Sequence, residues 1–269
     1  MIATAVFVAM FFVLWGIAAG VLPPSIRVIR RAAVSIASRT PAVRLPRYWP
    51  VFIIVAVGLA LAACAGDGFF EIAGNIRTKY QVGKTFDERT YDFVRTHRDS
   101  TDTMFFAAAT MVGSPVGMGC IVAIVATVLL VRKRFRWTAY LLGTASGGAM
   151  LNEVLKHLFM RARPDLNLAL VRAGGYSFPS GHAMGSTVVL GALAYLGMRA
   201  WDEWRTKSAL LALCVTSVIA IGFSRIYLGV HWISDVGAGL AAGAVWVACS
   251  TTAYEAARYL RIVRVRRCL

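Results

Sequence analysis

Three short segments of the sequence place cationic, hydroxyl and imidazole side chains at spacings suited to binding and attacking an oxyanion. In the first, Lys156 and Arg163 lie seven residues apart and Pro164 follows at once. Seven residues are about two helical turns, which predicts both cations on one face. Pro164 disfavours helical geometry at the preceding residue, so we expect the helix to end near Arg163 and its guanidinium to turn inward. Such cations also commonly extend towards water at helix ends, and this is the interpretation given to Arg161 and His157.

The second segment is the run Pro179, Ser180, Gly181, His182, immediately before an apolar stretch. A helix beginning here would offer free N–H groups and the positive end of its dipole to an anion. Ser180 can donate a hydroxyl, Gly181 permits close approach of the backbone, and His182 can transfer a proton near neutral pH. The alternative is an ordinary helix cap.

The third segment contains Ser224, Arg225, His231 and Asp235. His231 and Asp235 are four residues apart, which places them on one face of a helix if that helix begins early enough. The carboxylate can then fix the imidazole tautomer and leave the other ring nitrogen free as a nucleophile. A purely structural His/Asp pair is the alternative.

The elements that must position these residues are apolar. Hydrophobic residues make up 58% of the 269 positions and the mean hydropathy is +0.64, well above the range of soluble domains. A membrane span needs about 20 apolar residues. The sequence therefore predicts an all-α, polytopic transmembrane helical bundle of one domain, with seven spans at residues 2 to 22, 51 to 72, 114 to 131, 137 to 157, 182 to 199, 208 to 223 and 233 to 255.

The net charge of +16 is explained by topology and not by nucleic-acid binding. Cytoplasmic loops collect Lys and Arg, and the segment 27–47 has six arginines and no acidic residue. Alternating sides from there gives an inner face with eighteen basic and three acidic residues, and a nearly balanced outer face. Residues 2 to 22 lack a preceding basic region and are interpreted as a retained helix, not a signal peptide.

All three segments with candidate chemistry then fall on the outer face, although the topology was assigned from the Lys and Arg residues of other loops. The one long outer connection, 73 to 113, is compatible with an interfacial helix or lid, or with a solvated connector. Together the three segments supply cations, donors and two imidazoles, a set sufficient for phosphoryl transfer without a metal.

The chain strongly resembles the type 2 phosphatidic acid phosphatase superfamily. The family pattern is Lys-x6-Arg-Pro, then Pro-Ser-Gly-His, then Ser-Arg-x5-His-x3-Asp, and residues 156 to 235 match every defining position. The resemblance implies that His231 attacks phosphorus, Asp235 orients it and His182 protonates the leaving oxygen. It also implies that the phosphoryl oxygens are held by Lys156, Arg163, Ser180, Gly181 and Arg225.

The resemblance further implies no metal, no cofactor and a phosphorylated lipid as substrate, of the phosphatidic acid, phosphatidylglycerophosphate or undecaprenyl diphosphate class. It gives a six-helix phosphatase core at 51–257, with an extra helix and basic loop at 1–50 and a basic cytoplasmic tail at 258–269. The expected location is the inner membrane, with the active site facing the periplasm or exterior. A lipid phosphotransferase and a non-enzymatic lipid-phosphate transporter remain alternatives, and the oligomeric state is undetermined.

Overall fold

A computed structural model describes residues 2–20, 49–78 and 80–265, and within these ranges the regular secondary structure is entirely helical. One short 3-10 turn is found at Leu166–Leu168. The helices, numbered in chain order over the described residues, are α1 (Ile2–Gly20), α2 (Trp49–Thr78), α3 (Tyr80–Thr96), α4 (Ser100–Val112), α5 (Pro115–Val131), α6 (Phe135–Phe159), α7 (Gly181–Ala200), α8 (Trp204–Tyr227) and α9 (Ile233–Val265).

Each of the seven predicted apolar segments coincides with a helix over its described residues, which confirms the helical-bundle prediction. Among the described residues, four helices are long and apolar enough to cross a bilayer, namely α2, α7, α8 and α9. A fifth span arises if α4 and α5, which meet at a bend of 53°, are taken together. Helix α1 has a shorter apolar stretch, and α6 is long but diluted by Gly, Ser and Thr.

The end of α6 differs from the prediction made from Pro164. The helix stops at Phe159, and Met160 takes the left-handed conformation (φ +45°). Its N–H still bonds the carbonyl of Lys156. Arg163 therefore lies in the following loop, so the prediction that Lys156 and Arg163 share one helical face is wrong. Pro164 by itself does not locate the helix end, because the helix ends at Phe159, four residues before the expected end near Arg163.

Helix α7 lies among α6, α8 and α9, while α9 packs along α2 and α1 packs on α8 and α4. Phe69, Phe178, Met184 and Ala238, from four different parts of the chain, are buried in one cluster directly below the candidate site. At the opposite end of the bundle, Arg199 of α7 and Arg258 of α9 contact Glu255. The arginines of segment 27–47 lie outside the described residues.

The outer connection 73–113 is largely helical and is packed against the bundle. Val94 of α3 and Phe106 of α4 are buried with Ile226 and Leu228, which belong to the end of α8 and the loop after it. The connection therefore forms part of the wall around the candidate site. Of the two interpretations, a packed helical segment fits the structure better than a solvated connector.

A close helix crossing sets the distance between α9 and the start of α7. A Cβ atom added at Gly239 would lie 2.7 Å from the backbone oxygen of Ser180 and 3.1 Å from the Cβ of Ala183. Small residues at helix contacts let backbones approach in membrane bundles. This crossing also lets the Ser180 N–H donate to the Asp235 carbonyl oxygen at 3.0 Å.

We predict that Gly239→Ala lowers stability by about 1–3 kcal/mol, because α9 must move away from the Ser180 backbone to admit the methyl group. The measurement is the unfolding midpoint of purified protein in detergent. Gly143→Ala is the matched control, since a Cβ at Gly143 meets nothing within 4 Å. Equal midpoints for the two variants would contradict the packing argument.

Candidate active site

The three sequence segments meet at one end of the bundle, around a cavity of about 490 Å³. Ser180 and Asp235 are fully buried next to it. Six of the eight residues expected at the site line this cavity: Lys156, Arg163, Gly181, His182, Arg225 and His231. The structure thus brings the predicted residues together from α6, α7, α8, α9 and the loops between them.

His231 precedes α9 by two residues, so it does not share a helical face with Asp235 as the spacing suggested. The ring still faces the carboxylate, with Nδ1 at 3.5 Å from Asp235 Oδ2. On the other side, Nε2 lies 3.0 Å from Arg163 Nη1. Because a guanidinium can only donate, Nε2 must accept, which leaves the ring proton on Nδ1 towards Asp235. The lone pair of Nε2 therefore points to the cationic side of the cavity.

Burial favours the neutral form of this imidazole. It lowers the pKa of His231 from its ordinary 6.5 to about 4, while Asp235 opposes the shift and the charges of Arg163 and Arg225 reinforce it. A histidine with a lowered pKa stays uncharged until the pH falls through the lowered value. Near neutral pH Nε2 is thus unprotonated, and its lone pair accepts from Arg163.

Arg163 is held by backbone oxygens. Its Nε donates to Gly175 O at 3.1 Å, and its Nη2 to Gly174 O at 2.8 Å and to Tyr176 O at 3.2 Å. Nη1, which also contacts His231, donates to Val230 O at 2.9 Å. The loop before α7 and the loop before α9 are thereby joined by one guanidinium, in a fork that a lysine could not reproduce.

Two donors at the site are buried without an acceptor among the described residues: Ser180 Oγ and Arg225 Nε. Ser180 is the N-cap of α7, but its side chain makes no capping hydrogen bond, so the helix-cap alternative does not account for the hydroxyl. An unsatisfied buried polar group costs about 1–3 kcal/mol. Both donors are suited to the oxygens of a bound tetrahedral anion.

Lys156 and Gly181 are close neighbours. A Cβ atom at Gly181 would lie 3.5 Å from Lys156 Nζ and 3.1 Å from Asn152 Oδ1, so glycine leaves the space beside the amine open. Lys156 also pairs with Glu153 at 3.0 Å, an exposed residue at the cavity mouth. His182, half-buried in the first turn of α7, lines the same cavity.

Four residues around the site were not anticipated from the sequence. Arg161, interpreted as a cation extending towards water, is largely buried and pairs with both Asp87 and Asp235; that interpretation is wrong. Ser177 Oγ donates to Asp235 Oδ2 in a short hydrogen bond. Thr110 of α4 accepts from Arg225 Nη1 at 2.5 Å. Asp87 and Thr110 lie far from the three segments in sequence, and no local spacing connects them to the site.

The far side of the cavity is apolar. The lining residues from α5, α6 and α7 include Met118, Val122, Ala145, Ala149, Val188 and Val189. In the part of the chain that the structure describes, no group of three or more His, Cys, Asp or Glu residues is arranged to hold a metal ion. The site thus combines a cationic end with a surface suited to a hydrocarbon chain.

Comparison with known proteins shows a similarity to one family. Residues 136–259 match the model of the PAP2 superfamily. Over this segment, which is slightly less than half of the chain, the protein is similar to that superfamily. The matched segment contains all eight candidate site residues, whereas Asp87 and Thr110 lie outside it.

Two curated relatives and one solved structure illustrate the similarity. The chain is 38% identical over 96 residues to phosphatidylglycerophosphatase B of Bacillus subtilis, a match of 35% of this chain and 46% of that protein. It is 35% identical over 131 residues to decaprenylphosphoryl-5-phosphoribose phosphatase of Mycobacterium tuberculosis, covering 46% of this chain and 64% of that protein. The chain thus spans less than two thirds of each relative.

The solved structure is that of a transmembrane PAP2-type phosphatidylglycerolphosphate phosphatase from Bacillus subtilis. It superposes with a TM-score of 0.66 at 24% identity, over 71% of this chain and 94% of that protein. The likeness establishes the fold, a multi-pass helical membrane bundle.

We predict that His231 titrates with a midpoint near 4, because burial opposes its protonation. The chain has four histidines, so carbon-13 labelling of histidine rings gives few NMR signals, and the loss of one signal in His231→Asn assigns it. A midpoint near the unperturbed value of about 6.5 would contradict the buried neutral imidazole.

We also predict that Thr110→Val weakens binding of inorganic phosphate or vanadate roughly tenfold, because Arg225 loses its hydroxyl acceptor and a hydrogen bond to a charged group is worth about 1.5–3 kcal/mol. Calorimetric titration of purified protein measures the binding constant. Thr127→Val is the control, since the Thr127 hydroxyl bonds only the carbonyl of Ala123 in its own helix. Unchanged anion binding in Thr110→Val would show that Arg225 does not depend on α4.

Proposed function

We propose that this protein is an integral membrane phosphatase that removes a phosphate from a phosphorylated lipid through a phosphohistidine intermediate. The observation that carries the proposal is the arrangement of Lys156, Arg163 and Arg225 around a neutral imidazole whose Nε2 lone pair faces them. Like charges are costly to gather in a partly buried cavity unless an anion binds there.

The proposed reaction has two displacements at phosphorus. Nε2 of His231 attacks phosphorus, the bond from phosphorus to the lipid-side oxygen breaks, and His182 supplies the proton that this oxygen takes up. Asp235 stabilises the positive charge that develops on the imidazole. Water, deprotonated by His182, then attacks phosphorus and breaks the P–N bond, which returns His231 to its neutral state.

The anion ligands have defined parts in this scheme. Lys156, Arg163 and Arg225 provide charge, while Ser180 Oγ and the Gly181 N–H provide hydrogen bonds to the phosphoryl oxygens. Arg163 Nη1, which donates to Nε2 in the substrate-free structure, would transfer that bond to a phosphoryl oxygen when phosphate binds. All these groups belong to the protein, so the scheme needs no metal or cofactor.

The apolar side of the cavity supports a lipid as the molecule that carries the phosphate. Side chains of α5 and α7 there offer a surface for an acyl or prenyl chain. The two curated relatives are named for a glycerophospholipid and for a polyprenyl substrate, so phosphatidylglycerophosphate, phosphatidic acid and undecaprenyl diphosphate are the substrate classes to test.

The proposal includes the orientation in the inner membrane. The basic residues that lie opposite the site are at the end of α7 (Arg199), the start of α8 (Arg205 and Lys207) and the last part of α9 (Arg258 and Arg261). By the positive-inside rule that end is cytoplasmic. The site would then face the periplasm or exterior. The phosphatase domain would comprise residues 51–257, and the basic tail at 258–269 would lie in the cytoplasm.

We predict that purified protein releases phosphate from at least one of these three lipids in the presence of EDTA, and that His231→Ala lowers kcat by at least about a thousandfold, because the nucleophile is lost. His97→Asn is the control, since His97 is exposed at the end of α3. Full activity of His231→Ala would eliminate the phosphohistidine route. Radiolabelled phosphate that moves to an added lipid alcohol, and not to water, would instead identify a phosphotransferase.

A further inference from the structure

Arg161 lies between two buried carboxylates that come from distant parts of the chain. Its Nη1 donates to Asp235 Oδ1 at 2.6 Å and its Nη2 to Asp87 Oδ2 at 2.6 Å. The exposed fractions of the three side chains are 13% for Arg161, 2% for Asp87 and 0% for Asp235. The guanidinium thus connects α3 to the start of α9 through a bridge almost completely removed from water.

Ser234 completes this bridge. Its hydroxyl accepts from Arg161 Nη1 at 2.7 Å and donates to Asp87 Oδ2 at 2.6 Å, while its N–H donates to Asp87 Oδ1 at 3.1 Å. Asp87 therefore binds both the guanidinium and the first turn of α9. Its position is fixed by three hydrogen bonds, as expected for a buried carboxylate.

The two oxygens of Asp235 have different partners. Oδ1 accepts from Arg161, whereas Oδ2 accepts from Ser177 Oγ and from the Trp232 N–H at 2.9 Å, and faces Nδ1 of His231. Rotation of the carboxylate would break the bonds on both sides at once. Arg161 therefore determines which oxygen His231 meets.

The net charge of the bridge acts on His231. Two carboxylates share one guanidinium, so a net negative charge remains beside His231 when its ring is neutral. If Asp87 were uncharged, the whole charge of Arg161 would act on Asp235 and reduce its attraction for the positive charge that develops on the imidazole.

Neither substrate binding nor simple stabilisation accounts for this arrangement. Arg161 is not among the residues that line the cavity, and both of its terminal nitrogens are engaged inside the protein. A buried ion pair pays a large desolvation cost and is weak evidence for a stabilising role. A role in orienting the site is the interpretation that the contacts favour.

We propose that Asp87 and Arg161 are positioning residues of the active site: Arg161 holds the Asp235 carboxylate towards His231, and Asp87 holds Arg161. The inference rests on the proposed function. It extends the catalytic assembly to α3, outside the segment 136–259 that matches the family. Neither residue touches the reacting phosphate.

The first test is Asp87→Asn, which keeps the size of the side chain and removes its charge. We expect kcat to fall about 10- to 100-fold, the range seen when supporting partners of metal-bound histidines are lost. KM should stay within about twofold of wild type, because Lys156, Arg163 and Arg225 are untouched. Asp92→Asn is the matched control: Asp92 lies on the same helix and pairs with Arg95 at 3.8 Å, but it is exposed.

A double-mutant cycle provides the second test. Arg161→Gln leaves two buried carboxylates facing one another, so we expect a larger loss of kcat than in Asp87→Asn. Asp87→Asn with Arg161→Gln removes that repulsion, and the double variant should be at least as active as Arg161→Gln alone. If the fold-loss of kcat in the double variant equals the product of the two single fold-losses, the inference is overturned, because independent sites behave in that way.

The outcomes separate this inference from the proposed function. If neither wild type nor Asp92→Asn releases phosphate from any lipid, the proposed function fails, and the inference fails with it. If wild type is active and Asp87→Asn keeps its kcat within about twofold, only the inference is overturned. Thermal unfolding and gel filtration in detergent give the folded fraction; a loss of rate that only follows that fraction identifies a structural bridge and also overturns the inference.

Discussion

The buried carboxylate of Asp235 is the point on which the candidate site depends. An ionised carboxylate without solvent is expensive unless hydrogen bonds and opposite charges satisfy it. Its partners come from the connection between α6 and α7 (Arg161 and Ser177) and from the connection between α8 and α9 (His231 and the Trp232 N–H). Satisfying this one group requires these segments to meet, and their meeting assembles the cavity.

The buried polar groups around Asp235 are confined to one end of the bundle, so their desolvation penalty does not extend to the rest of the helices. Just below it, Phe69, Phe178 and Met184 are packed in an apolar cluster, and the glycine crossing at Gly239 lets α9 approach Ser180 closely. The cations are held at the helix ends, where loop carbonyls of residues 174–176 and 230 accept from Arg163. The ionisable groups of the candidate site are thus gathered at one rim of the bundle, where they cost less than at the middle of a bilayer.

The segment that matches the family does not contain the whole site. Asp87 and Thr110 reach it from α3 and α4, one through Arg161 and the other through Arg225. The two helices are therefore a second layer around the candidate site, fixed by buried polar contacts and by the burial of Val94 and Phe106. Because this layer lies outside the matched segment, it is where a difference between this protein and its relatives would alter the site without changing the three motifs.

The sequence by itself determined the helical bundle, because apolar runs long enough to span a bilayer have few alternatives to a helix. It also identified the eight candidate residues, since the spacings around His182 and His231 are local and chemically distinctive. It did not locate the end of α6, because the left-handed turn at Met160 precedes the proline that the prediction relied on. Arg161 was misinterpreted for a related reason: whether an arginine extends towards water or joins two carboxylates depends on Asp87, 74 positions away. Only the tertiary structure decided which cations contact the anion cavity and which hold Asp235, because those choices depend on distances between segments that no local pattern encodes.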